Sequence, residues 1–244
     1  MSETPVFAKL SPMSKADVQL PAYEDMIKAG MHFGRKKTVF HPGMEPFVHT
    51  LKEGVHILDL IKTGDFLLRA SDFINKCLGD GKLILFVGLT KQSIEAVKTT
   101  AEALNMPYAV ERWLGGTLTN FKTISSRVKY LEELEKKQAS GDFEKYTKKE
   151  RLMKEKEIEK LRKKFNGLRK LIRMPDAIFV TSLRESQLAI KEARLAKIKT
   201  IGIVNTDSDP NQLDFPIPAN DNSKKSVELV MSVIKDKALI GAKN

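Results

Sequence analysis

An α/β fold built on a largely parallel sheet is what the sequence predicts, and three observations carry the prediction. From residue 55 onward, short apolar runs alternate with helical stretches, as consecutive strand-helix-strand units do. Leu83-Ile84-Leu85-Phe86-Val87 and Ile178-Phe179-Val180 are apolar on consecutive residues, as strands covered by helices on both faces should be. Between about 121 and 173 that rhythm breaks, and Lys, Arg and Glu dominate around a thin apolar stripe. The combination is a parallel sheet of about five strands flanked by helices, Rossmann- or flavodoxin-like, with an inserted antiparallel coiled-coil helical hairpin.

Residues 1–20, with Pro5 and Pro12 and no apolar period, read as an N-terminal tail. A short helix over 22–29 ends at Gly30, since glycine takes the left-handed backbone conformation a helix terminus needs. A loop with Pro42, Gly43 and Pro46 follows. Strands are predicted at 55–60, 83–87, 108–110, 177–180 and 200–204. Helices are predicted at 65–77, 92–104 and 185–195, with a last one over 224–237. Segments 21–120 and 174–240 thus form one discontinuous α/β domain, and 241–244 is a C-terminal tail. In the insertion, 121–173, the stripe of Ile124, Val128 and Leu131, then Ile158, Leu161 and Phe165, suits a narrow two-helix seam rather than a globular core. Ala139-Ser140-Gly141-Asp142 supplies the turn and Asn166-Gly167 a helix end. An arm that covers none of the core points to docking; the plainer alternative is a solvated helical surface.

The 244 residues are enough for one substantial core plus a smaller module, and 41% hydrophobic with 30% charged residues is ordinary for a folded soluble protein. The net charge of +11, from 42 basic and 31 acidic residues, attracts polyanions, with nucleic acid first among them. A single cysteine, Cys77, excludes an internal disulfide and a thiolate metal cage, suits a reducing compartment, and is expected in a helix core. The first twenty residues hold no basic cluster leading into an apolar run, and Glu3 and Asp17 argue against a transit peptide. No apolar stretch reaches the roughly 18 to 20 residues of a membrane span, so a cytoplasmic protein is expected.

Four clusters carry candidate chemistry. In Ala29-Gly30-Met31-His32-Phe33-Gly34-Arg35-Lys36-Lys37, glycines permit close backbone approach, Phe33 offers a flat apolar face, and three adjacent cations can meet phosphate oxygens. A solvated basic turn with Phe33 packed inward explains the same residues equally well. In Glu111-Arg112-Trp113-Leu114-Gly115-Gly116-Thr117-Leu118-Thr119-Asn120-Phe121, Arg112 suits a contact with sugar and phosphate. Trp113 suits a mechanical role anchoring the hairpin, with Thr119 or Asn120 capping the next helix. Gly88-Leu89-Thr90-Lys91 lies between a strand and a helix, where backbone N–H groups welcome an anion, but it fits neither standard nucleotide-loop pattern. Asn205-Thr206-Asp207-Ser208-Asp209-Pro210, with Asp214 and Asp221 near, lies beyond a strand end, where paired carboxylates hold magnesium or act as acid and base. The competing role for these short acidic side chains is turn capping. His32, His41, His49 and His56 have no metal-binding spacing.

At these clusters the chain closely resembles the bacterial ribosomal protein S2 family. The matching stretches are 29–34, Gly54-Val55-His56-Ile57-Leu58-Asp59-Leu60 with Lys62-Thr63, Leu85-Phe86-Val87-Gly88, 112–123, Pro175-Asp176-Ala177, and 209–221 through Phe215-Pro216-Ile217-Pro218. Their order and spacing match too, over about residues 22–240. The resemblance implies a parallel α/β domain with a coiled-coil insertion and a non-enzymatic, structural role. It further implies binding of small-subunit rRNA at the head-body junction, and a surface that helps recruit the large mRNA-binding protein with tandem OB domains. No cofactor or metal is implied. This chain departs from the family pattern at Arg35, where a histidine is usual, at Leu89 and Gln92 in place of a basic pair, and at Ser182 and Leu183. Arg35, Lys36, Lys37, Lys91, Arg112 and Lys122 are the residues expected to neutralise phosphate, while Phe33, Trp113, Gly115 and Gly116 shape the surface that approaches RNA. The opposing hypothesis is a metal-assisted hydrolase or transferase using Asp207 and Asp209; a third is a regulatory RNA-binding protein free of the ribosome.

Overall fold

The structure, a computed structural model, describes residues 20–241. The tail expected over 1–20 therefore lies outside the described residues except for Leu20, as do residues 242–244 of the C-terminal tail. In chain order the elements are α1 (Tyr23–Lys28), β1 (Phe33–Lys36), β2 (Val48–Lys52), β3 (Val55–Leu58), α2 (Leu60–Gly79), β4 (Ile84–Val87) and α3 (Ile94–Ala103). There follow β5 (Tyr108–Ala109), α4 (Phe121–Ala139), α5 (Lys148–Phe165), β6 (Ala177–Val180), α6 (Gln187–Leu195), β7 (Lys199–Val204), β8 (Phe215–Pro218) and α7 (Lys224–Gly241).

A five-stranded, all-parallel sheet of order β5-β4-β6-β7-β8 forms the centre of the molecule. The strand count expected from the sequence holds, but the membership differs. The strand predicted at 55–60 is β3, the middle of a separate antiparallel sheet of order β1-β3-β2. Three of its four residues are half-buried, in contrast to the fully buried β4 and β6. The fifth parallel strand is instead β8, whose Phe215-Pro216-Ile217-Pro218 sequence reads as a turn-rich connection. Proline is tolerated there because β8 is the sheet's edge, where an outward N–H is not needed. The Ala219 amide donates inward to the Val204 carbonyl, so alternation turns Pro216 and Pro218 outward, and the Pro218 carbonyl accepts from the Thr63 hydroxyl at 2.6 Å.

Period-two alternation along buried strands divides the core in two. Ile84 and Phe86, Ala177 and Phe179, and Ile201 and Ile203 face the layer of α2, α3 and α7, with Leu67, Ile74, Val97, Val230 and Ile234. Leu85, Val87, Ile178 and Val180 face the other layer, which contains Ala189, Ile190 and Ala193 of α6. Cys77 is buried in α2, as its surroundings in the sequence predict. That helix starts at Leu60, earlier than the 65 predicted, because the Asp59 carboxylate caps it by accepting from the amide of Ile61 at 3.0 Å.

The insertion folds as α4 and α5, and Gly141 takes the left-handed conformation (φ 76°) in the turn between them. Thr147 and Glu150 form a reciprocal capping box that starts α5. Ile124, Val128, Leu131 and Leu134 of α4 and Ile158 and Phe165 of α5 are buried in one cluster with Trp113, Leu85 and Ile178. The seam is thus continuous with the main core, where the sequence suggests an arm that covers none of it. Sparse apolar residues at helical spacing do not disclose whether they meet each other only or a sheet as well.

The topology determines where loops gather. From β4 the chain moves outward to β5, returns through α4 and α5 to β6 beside β4, and then builds β7 and β8 on the other side. The order therefore reverses between β4 and β6, and the loops leaving their carboxyl ends diverge, which opens a crevice at that rim.

Candidate nucleic-acid interface

Loops at the carboxyl-terminal rim of the parallel sheet carry parts of the sequence-distant clusters. Lys91 follows β4, Arg112 follows β5, and the stretch from Arg112 leads to Lys122 at the start of α4. The segment of β1 reaches the same rim because the Arg35 amide donates to the Thr206 hydroxyl (2.8 Å), just beyond β7. Gly34 is required at this junction. A Cβ built there would lie 2.7 Å from Thr206 Cγ2 and 2.9 Å from the His56 carbonyl, so its close approach is to the protein's own chain. Gly30 ends α1 with φ 70°, as predicted.

Arg35, grouped with Lys36 and Lys37 by sequence, behaves differently from them. Its guanidinium lies 3.0 Å from the Asp221 carboxylate and 3.3 Å from that of Asp207. Asp207 also meets Arg184 at 3.0 Å, and Asp221 accepts from the Ser182 hydroxyl (2.7 Å) and the Asn205 amide (2.9 Å). Ser182, one of the departures from the family pattern, is thus a partner of Asp221. The network ties the small sheet to the loops after β6, β7 and β8, with Arg35 largely enclosed. Lys36 and Lys37, by contrast, are exposed.

The Arg112–Phe121 stretch is organised around a residue that the sequence does not single out. Glu192, on α6, is buried and accepts hydrogen bonds from Trp113 Nε1 (3.0 Å) and from the amides of Gly116 (2.8 Å), Leu118 (3.0 Å) and Thr119 (3.2 Å). The Thr119 hydroxyl adds a fifth, at 3.3 Å. Burial alone would push the Glu192 carboxyl up; hydrogen bonds from Trp113 and the three amides outweigh it and hold the carboxyl below its usual value. Trp113 is buried, in keeping with its mechanical role, and Gly116 takes φ 88° so that its amide points at the carboxylate. The amides of this turn are therefore occupied by an internal anion. What the loop offers outward is Arg112, Gly115 and, one residue into α4, Lys122, all exposed. Asn120 is the residue before α4, but its side chain caps no amide and instead accepts from the Thr123 hydroxyl at 2.8 Å.

Phe33 is half-exposed, with its ring centroid 4.1 Å from that of His32, rather than packed inward. Lys91 is exposed beside a turn whose own polar groups are spent locally, with the Thr90 hydroxyl donating to Ser93 Oγ at 2.9 Å. Among the described residues, Lys36, Lys37, Lys91, Arg112 and Lys122 have no carboxylate within ion-pair distance. The structure thus separates one enclosed arginine from five free cations.

The acidic stretch after β7 is structural throughout. Asp207 is buried against two arginines. Asp209 accepts from the Asn211 amide at 3.0 Å and starts a 3-10 turn, and Asp214 accepts from the Thr200 amide at 2.9 Å and pairs with Lys199 at 2.7 Å. Among the described residues, no group of three His, Cys, Asp or Glu side chains is placed to hold a metal ion, and no helix is long and apolar enough to cross a membrane.

Comparison with known proteins adds an independent finding. The family model described as Ribosomal protein S2 matches residues 26–241. The small ribosomal subunit protein uS2 of Rhodopirellula baltica is 41% identical over 218 residues, covering 89% of this chain and 84% of the relative. Those of Mycoplasmopsis synoviae and Roseiflexus castenholzii are 40% and 39% identical, covering 91% and 94% of this chain and 76% and 87% of their own lengths.

Proposed function

The chain belongs to the ribosomal protein S2 family, and from that premise we propose that it binds small-subunit rRNA near the head-body junction as a structural constituent of the small ribosomal subunit. There it also helps to dock the large mRNA-binding protein with OB domains and packs against other small-subunit proteins. The family is structural and non-enzymatic, and its members work in cytoplasmic ribosomes.

One observation supports the RNA-binding part: five exposed cations lack carboxylate partners among the described residues, with Lys91 and Arg112 on loops leaving the carboxyl ends of β4 and β5, and Lys36 and Lys37 next to Arg35, which is tied to the loop after β7. Lys36, Lys37, Lys91, Arg112 and Lys122 meet phosphates, which fix orientation without reading sequence. Phe33 and Gly115 shape the approaching surface. Trp113 and Gly116 hold the loop through Glu192, and Arg35 holds the first motif in place. The 121–173 insertion, set into the domain formed by 21–120 and 174–240, supports the same reading, since 18 basic against 9 acidic residues give it +9 of the chain's +11.

The test is sucrose-gradient sedimentation of a native lysate at low magnesium, following the tagged chain. Stoichiometric migration with the small subunit is expected. Retention at the top of the gradient would overturn the proposal and point to an RNA-binding protein free of the ribosome.

A further inference from the structure

The amino-terminal ends of the parallel strands, opposite the cationic rim, carry a different surface. Two clefts of about 510 and 620 Å³ lie there, formed by the segments that lead into β6, β7 and β8, and they share Lys197 and Ile198. Asp176 and Asp214 line them, each already neutralised: Asp176 by Arg173 at 2.8 Å, Asp214 by Lys199 at 2.7 Å. Arg194 spends one nitrogen on the Asn211 carbonyl at 3.1 Å, and the Lys197 ammonium has no hydrogen-bond or ion-pair partner among the described residues. The local balance is therefore cationic, but with carboxylates built in.

Ile172 and Leu195 flank the first cleft, next in sequence to its lining residues Arg173 and Ala196. They are 87% and 78% exposed, more than any other large apolar side chain among the described residues. Scattered exposed aliphatics are ordinary, but here the two extremes each adjoin in sequence a residue lining the same cleft.

We propose that these joined clefts are a docking groove for an acidic peptide segment with aliphatic side chains, belonging to a neighbouring protein. Its apolar residues cover Ile172 and Leu195, and its carboxylates meet Lys197 and Arg194. An RNA strand suits the groove less well, because bases stack on aromatic rings and guanidinium planes rather than on Ile and Leu. The groove lies away from the proposed rRNA rim and does not depend on it.

Fluorescence anisotropy of the full chain with a labelled peptide of alternating glutamate and leucine tests the groove. Saturable binding is expected, weakened at least about tenfold by Ile172→Ser with Leu195→Ser or by Lys197→Glu, and unaffected by Lys36→Glu with Lys37→Glu. All these positions are exposed, so the fold is retained. Absence of binding, or equal binding of a peptide with serine in place of leucine, would overturn the proposal. In purified small subunits, benzoylphenylalanine introduced at position 195 should crosslink to an acidic, aliphatic protein segment identifiable by mass spectrometry. A crosslink to rRNA, or none, is the contrary result.

Discussion

Glu192 sits on a nine-residue helix whose sequence presents it as one more solvated charge, yet five hydrogen bonds converge on it from a loop more than seventy residues away in the chain. Replacing it with alanine leaves three amides and the Trp113 N–H without an acceptor. A loss of about 2–4 kcal/mol in urea unfolding is expected. Because its folded pKa is lowered, the stability it contributes is present above the ordinary glutamate value of 4.5 and is lost as pH falls through the lower folded value. Gly34→Ala should cost about 1–3 kcal/mol by the same assay, since the new methyl overlaps Thr206 and the His56 carbonyl. Thr206→Ser, which removes the nearest atom and keeps the hydroxyl that accepts from Arg35, should recover part of that loss. Glu192 is not legible in advance, and Gly34 is legible only as a glycine of close approach whose partner the sequence does not identify. Sequence shows residue type and spacing, whereas these roles depend on a partner brought near only by the fold; Arg35 was grouped with the lysines for the same reason.

Elements were legible where one physical cause dominates. Runs such as Ile84–Val87 and Ala177–Val180 are apolar throughout because both faces are covered, and no other local structure explains them as economically. Short, largely exposed strands such as β1 and β2 leave no such trace in the sequence. In the insertion, Glu135 of α4 pairs with Arg169 at 2.7 Å and also with Arg162 of α5. The Arg169 hydrogen bond, with that of Arg162, overcomes the upward push of burial and takes the Glu135 carboxyl down to about 2. Its contribution is thus complete above 4.5 and lost progressively toward pH 2. Acid titration of helicity should show the Glu135→Gln variant less stable at neutral pH but less sensitive to acid over that interval than the parent chain.

Across the whole molecule, charge is distributed by function rather than evenly. The enclosed network of Arg35, Asp207 and Asp221 stiffens the joint between the two sheets, and the free cations stand outside it. Single alanine substitutions at Lys36, Lys37 or Lys91 should therefore leave stability within about 0.5 kcal/mol. Each should lower the slope of log affinity for small-subunit rRNA against log salt by about one, measured by filter binding. Arg35→Ala should instead cost stability, because two buried carboxylates lose one of their cationic contacts and Asp221 keeps only the neutral donors Ser182 and Asn205. The apolar rhythm makes the fold class legible and the family resemblance the overall role, since 112–123 and 209–221 are long specific stretches; the boundary between enclosed and exposed cations is not legible, because it follows from the pairing of loops after β7 and β8. The borders of the central sheet have one more effect. Strand β5 is only two residues long, and β8 turns two prolines outward with the Pro218 carbonyl already engaged. The central sheet thus offers little free ladder at either border on which a second copy could add a strand, which blunts edge-to-edge association through that sheet.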